Sequence, residues 1–206
     1  MTPRERYNAL LTGETIDFYP RIPIVMQYAA EYIGSNYSSF ASDYRTLVQA
    51  NIACAEDFGF DQLSTISDPY RETQGFGEEI IYHENGVPEC LRPPLADSDE
   101  IETLQAINLP DPEQATRMRD RIDALRLYKT LTGDHYSLLG WVEGPAALAG
   151  DLRGLTDFLM DLIDEPEYSA LLLDICADTA IRFAHCQIDN GADTIASKNS
   201  KWGSID

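Results

Sequence analysis

Basic residues are scarce in this chain: 15 lysines and arginines stand against 35 aspartates and glutamates, for a formal net charge of −20 and a pI near 4.3. A surface of that sign repels polyanions, so nucleic acid is not an expected partner. Cysteine is sparse too. Cys54, Cys90, Cys176 and Cys186 share no short paired spacing, which argues against a disulfide framework and against a zinc knuckle. No apolar run approaches the roughly 18 residues of a membrane helix, and the opening Met1 to Tyr7 has no apolar signal core. The expectation is a cytoplasmic protein, off the membrane, with reduced thiols. Wholesale disorder is excluded, because 44% of the 206 residues are hydrophobic and 11 are tyrosine. That length can bury the core of one domain.

What is present is organised around Tyr136 to Gly154. Tyr136 to Val142 is an uncharged run rich in aromatic and branched residues, which suits a parallel strand covered on both faces. Glu143 ends it, and Gly144-Pro145 turns the chain toward a helix. β/α folds place their chemistry where a strand gives way to such a turn. Glu143 is therefore either a site carboxylate or a loop acid. Asp68 leaves the strand-like run Phe60 to Ser67 in the same way, and its alternative is an Asx turn ahead of Pro69.

In order, Thr2-Pro3 predicts an N-cap and first helical residue, with Gly13 as the stop. Arg21 to Gln27 is a compact apolar run predicted as the first core strand, followed by loops and short helices to Ser42. Asp43 to Phe58 has helical periodicity and stops at Gly59. Glu79 to Leu91 predicts a β-hairpin with Asn85-Gly86 at its tip, an excursion from the β/α rhythm. Pro112 to Thr130 is a charged amphipathic helix with Met118, Ile122, Leu125 and Tyr128 along one stripe. Leu155 to Leu162 and Pro166 to Asn190 supply two more helical faces. His135 is read as structural. His185-Cys186 is read as packing, since adjacent helical residues point about 100° apart. Ala192 to Ile195 begins a last strand, and residues 196–206 turn polar as a tail.

Four helix-linked strands, at 22–27, 62–67, 136–142 and 192–195, with one inserted hairpin make an α/β protein: half of a (β/α)8 TIM barrel. Thr2 to Gly13, Arg21-Ile22-Pro23, Phe58 to Asp61, Ser67-Asp68, Gly144-Pro145 and Asn190 to Asp193 together resemble the uroporphyrinogen decarboxylase superfamily, collinearly over about residues 2–195. The resemblance implies an N-terminal barrel part over 1–195, ahead of the tail.

It also implies two branches: cofactor-free decarboxylation of uroporphyrinogen, or methyl transfer between corrinoid proteins and thiols with zinc holding the thiolate. In the decarboxylases two arginines after the first strand bind substrate carboxylates. Here Gln27 and Glu31 stand at those positions, and Asp151 replaces a family tyrosine. Burying a polycarboxylate without guanidinium partners is costly, so the methyltransferase branch is favoured. The zinc ligands of that branch lie beyond this chain's matching part, so no metal ligand is assigned; zinc and a corrinoid are implied for full-length relatives only. By the same resemblance Asp68 is the expected catalytic residue, and Met26, Gln27, Tyr28, Trp141, Glu143 and Gly144 are the expected substrate-binding residues. The expected partners are a small-molecule substrate or a corrinoid protein, and a second copy of the chain. An open half-sheet leaves unpaired edges, so a non-catalytic half-barrel acting through pairing is the remaining alternative.

Overall fold

A computed structural model describes residues 1–98 and 100–198. Helix α1 (Pro3–Thr12) starts as its sequence predicts. The Thr2 hydroxyl accepts from the Glu5 N–H, Glu5 reaches back to the Thr2 N–H, and Gly13 closes the end in the left-handed region. The buried Arg6 on α1 pairs with Asp17 and Asp61, while Arg4 pairs with Asp193, so the first helix is tied to the N-terminal side of the sheet.

The run predicted as the first strand does not form one. Residues 21–25 join no strand: Arg21 exchanges backbone bonds only with Asp61, accepting its N–H and donating to its Oδ2, the Val25 carbonyl already accepts the Ala29 N–H, and Met26 turns at φ 30° into α2 (Met26–Tyr32). Pro23 lacks a ladder donor, and Ile22 and Ile24 stay 49% and 48% exposed, so no burial compensates for ordering a strand there. Two helices follow, α3 (Tyr37–Ser42) and α4 (Tyr44–Phe58), the second capped by Asp43 and stopped by Gly59.

Strand β1 (Gln62–Ser64) is shorter than the predicted 62–67 because the chain bends into α5 (Arg71–Gly75). The hairpin forms as β2 (Ile80–His83) and β3 (Gly86–Cys90). It is not a free excursion, since the Glu84 carbonyl accepts from the Tyr37 and Ser38 N–H groups at the start of α3. Helices α6 (Ile101–Gln105) and α7 (Thr116–Thr132) lead to β4 (Ser137–Glu143). Then come α8 (Pro145–Arg153), α9 (Leu155–Asp164), α10 (Pro166–Asp189) and β5 (Thr194–Lys198).

The sheet order is β1-β4-β5, all parallel, with Leu63 opposite Leu138 and Ile195 opposite Gly140. It thus holds three parallel strands among the described residues, where the sequence predicted four. The last one runs to Lys198, three residues past its predicted end; the remainder of the predicted tail, from 199, lies outside the described residues. Parallel pairing requires crossovers, and the intervening helices supply them. Apolar clusters cover the sheet: Leu47, Val48, Cys54, Leu63, Leu125 and Leu138 form one, and Met118, Ile122, Val142 and Phe183 another. Gly140 admits the closest approach. A Cβ there would lie 2.6 Å from Ile195 Cδ1 and 2.9 Å from Gln187 Oε1.

Candidate functional site

β1 and β4 are parallel neighbours, so their C-terminal ends reach the same rim, where α/β folds collect ligands. Asp68 arrives from the segment after β1 and Glu143 is the last residue of β4. Both are buried, 3% and 5% exposed. Asp68 makes the Asx turn foreseen for it, accepting the Tyr70 N–H at 3.1 Å. It also accepts the Ser67 hydroxyl at 2.6 Å and two parallel bonds from Arg117, at 2.8 and 2.5 Å. A carboxylate offers about four acceptor positions, and these partners fill them. Burial by itself raises this carboxyl's pKa; the Arg117 charge and hydrogen bonds, with the Arg71 charge and the Ser67 hydroxyl, outweigh it and bring the value down to about 2. A group of that acidity exchanges no proton near neutrality.

Arg71, the first residue of α5, is fully buried and donates through Nη2 to Glu143 Oε1 at 3.0 Å. The Trp141 indole N–H donates to the same oxygen at 3.2 Å. The next residue, Glu72, accepts the backbone N–H of Glu143 at 2.9 Å. Burial pushes the Glu72 carboxyl upward and the Glu143 charge adds to this, against the opposing Arg71 charge. Arg121 lies one turn after Arg117 on α7, 1% exposed, and contacts Asp120 and the Ala41 carbonyl through Nη2 alone. Tyr37 lies within electrostatic reach of all three guanidiniums and Asp68, and burial raises its hydroxyl pKa. The Tyr82 ring, from β2, lies 5.2 Å from the Arg117 guanidinium carbon.

Six buried side-chain atoms here have no hydrogen-bond partner: Nε and Nη1 of Arg71, Nε and Nη1 of Arg121, Oε2 of Glu72 and Oγ1 of Thr73. Each such atom costs on the order of 1–3 kcal/mol of desolvation. Neighbouring buried polar groups concentrate that cost at one rim of the sheet.

The structure thus brings Asp68, Trp141 and Glu143 together through Arg71 and Arg117, with Gly144 capping α8 beside them. Met26, Gln27 and Tyr28 lie on α2 rather than at a strand tip. Gln27 is exposed and donates to Glu31 at 2.8 Å, and Tyr28 stacks on Tyr32 at 6.0 Å. Asp151 is buried on α8. Sequence reasoning passed over Arg71, Glu72, Arg117 and Arg121. The signal was present in α7: Arg117, Arg121, Ala124 and Tyr128 fall at i, i+4, i+7 and i+11, on the stripe that carries the core tyrosine.

Among the described residues no three or more His, Cys, Asp and Glu side chains are arranged to hold a metal ion, and the four cysteines are unpaired. No helix is long and apolar enough to cross a membrane, again among the described residues.

Residues 2–206 match the sequence profile of a family described as "Uroporphyrinogen decarboxylase (URO-D)". Methylcobamide:CoM methyltransferase MtaA of Methanosarcina barkeri is 26% identical over 199 residues, covering 95% of this chain and 58% of that protein. A uroporphyrinogen decarboxylase of Pseudoalteromonas atlantica is 27% identical over 219 residues, covering 98% and 58%. Among solved structures, a methyltransferase from Methanosarcina mazei superposes with a TM-score of 0.84 at 22% identity, over 96% of this chain and 58% of the other. The chain spans a little over half the length of the relatives it matches.

Proposed function

The chain belongs to the uroporphyrinogen decarboxylase (URO-D) family, and from that premise we propose that it is the N-terminal part of a (β/α)8 barrel serving methyl transfer from a methylated corrinoid protein to a thiol. The observation that carries the choice of branch is the Gln27–Glu31 hydrogen bond on α2. An amide and an acid, bonded to each other at the positions of the decarboxylase arginines, offer no cation to a polycarboxylate. Asp68 adds support. With its acceptor positions filled by Arg117, Ser67 and Tyr70, it has none left for pyrrole N–H groups.

In this reading Asp68 acts by orienting Arg117 at the rim, Trp141, Glu143 and Gly144 shape the substrate side, and Met26, Gln27 and Tyr28 form an outer contact for substrate or corrinoid protein. Zinc and a corrinoid belong to the full-length activity. The described residues do not provide a zinc-binding cluster, so no step assigned to them runs through a metal. The test is an assay of a full-length protein that carries this chain as its N-terminal part, supplied with zinc, a methylated corrinoid protein and a thiol, beside one with uroporphyrinogen. The reading expects methyl transfer and no coproporphyrinogen; the reverse pattern overturns it.

A second reading, pairing with another copy, is favoured by one observation. Phe18, Tyr19, Ile22 and Ile24 are 44–79% exposed along the segment that forms no strand. Light scattering after size exclusion tests it, and a monomer at high micromolar concentration removes it.

A further inference from the structure

We infer that Arg71 and Arg121 line a binding site for a small oxyanion, of carboxylate, sulfonate or phosphate class, at the rim formed by the ends of β1 and β4. The argument is a balance of donors and acceptors. A guanidinium carries five N–H donors and no acceptor. Arg71 commits only Nη2, to Glu143, and Arg121 commits only Nη2, to Asp120 and the Ala41 carbonyl. Nε and Nη1 of both are buried without partners. Against them stands one unmatched acceptor, Glu72 Oε2, 3.6 Å from Arg71 Nε and too far for a hydrogen bond.

The surplus is of donors, so the complementary group must be rich in acceptors and poor in donors. An oxyanion has that character, and a metal or organic cation does not. Arg117 is not part of the site, because its fork is spent on Asp68 and Ala41. Its role is to hold α7 against the rim so that Arg121, one turn on, faces the same region as Arg71. The Ala41 carbonyl accepts from Nη2 of both Arg117 and Arg121, so the two guanidiniums converge there, and Arg117 in turn holds Asp68, the carboxylate whose pKa the Arg71 charge also lowers. The inference requires neither branch of the family's chemistry, so its test reads binding and not turnover.

The 206-residue chain is titrated with sodium sulfate, methanesulfonate, phosphate and acetate at constant ionic strength set with sodium chloride, following the thermal midpoint and heat of binding. A saturable rise in midpoint with at least one of these salts, absent with chloride, is expected; which salt acts distinguishes the tetrahedral from the planar class. Arg121→Gln, and Arg71→Lys, which keeps a cation for Glu143, should each weaken binding at least tenfold. Arg45→Gln, at a 69% exposed side chain, should leave it unchanged. Should Arg121→Gln fail to fold, phenylglyoxal labelling of the unaltered chain replaces it, with Arg71 and Arg121 protected by the effective salt and Arg45 not. An equal response to chloride, undiminished binding in both folded variants, or labelling that ignores the salt overturns the inference.

Discussion

Asp68→Asn is the most informative single change, because it deletes a charge while sparing the local turn. Asparagine keeps an Oδ1 able to accept the Tyr70 N–H, so the Asx turn survives. What is lost is the counter-charge of Arg117, whose residue is 4% exposed. Two routes give the magnitude. Lowering the carboxyl from 3.8 to about 2 is nearly two pH units, or about 2.5 kcal/mol at roughly 1.4 kcal/mol per unit. Removing one partner of a buried pair typically costs about 3–5 kcal/mol. The expected loss is therefore about 2–5 kcal/mol, a large part of the roughly 5–15 kcal/mol that holds a domain folded.

Urea unfolding of the wild type, Asp68→Asn, Arg117→Met and the double variant measures it. The double variant should be less destabilised than the sum of the singles, since no charge is then left alone. The pH dependence has a fixed sign. Asp68 has a depressed folded pKa, so its contribution is complete above 3.8 and disappears as pH falls through about 2. Wild type and Asp68→Asn should converge over that window. A single-variant loss under about 1 kcal/mol, or additive singles, would refute the reasoning that this pair is desolvated and coupled.

Glu72 carries the opposite sign. Burial raises its folded pKa above 4.5, so the stability it contributes is present below 4.5 and lost as pH rises through the folded value. Glu72→Gln should gain stability relative to wild type on going from pH 4 to pH 7.5, read by thermal midpoints at each pH. Gly140→Ala inserts a methyl 2.6 Å from Ile195 Cδ1; thermal unfolding should show a loss of about 1–3 kcal/mol, eased by a companion Ile195→Ala. Thr2→Ala removes the α1 capping box and should cost about 1 kcal/mol in chemical denaturation, with no effect on anion binding.

The local grammar of the chain was legible without coordinates. Thr2-Pro3 and Gly13, Asp43 and Gly59, and Asn85-Gly86 each act through neighbours a few residues away. Caps and turns are decided at that range: Thr2, Gly13 and Gly59 stand as read, Asp43 proves to be the cap just ahead of its helix, and the hairpin turns one residue early, at Glu84-Asn85, with Gly86 opening β3 opposite His83. Tyr136 to Val142 was read as a buried parallel strand from its uncharged, branched composition, and β4 occupies residues 137–143 at the sheet's centre. Residues 21–27 misled for a matching reason. An apolar run reports a wish to be buried, but a strand also needs a hydrogen-bonding neighbour, and residues 21–25 pair with no strand.

By itself the sequence determined the ends of α1, the stop of α4, the presence of the hairpin, the central strand and the kinship, all of which rest on residues read in order. The rim was decided by tertiary structure alone. Arg71, Glu72, Arg117 and Arg121 look like surface charges in the text of the chain. Whether an arginine lies in water or in the core depends on which helix packs over it, and parallel pairing of β1 with β4 brings together side chains some 70 residues apart. That distance in sequence is why their charges, and the unmatched donors among them, could be counted only after the chain had folded.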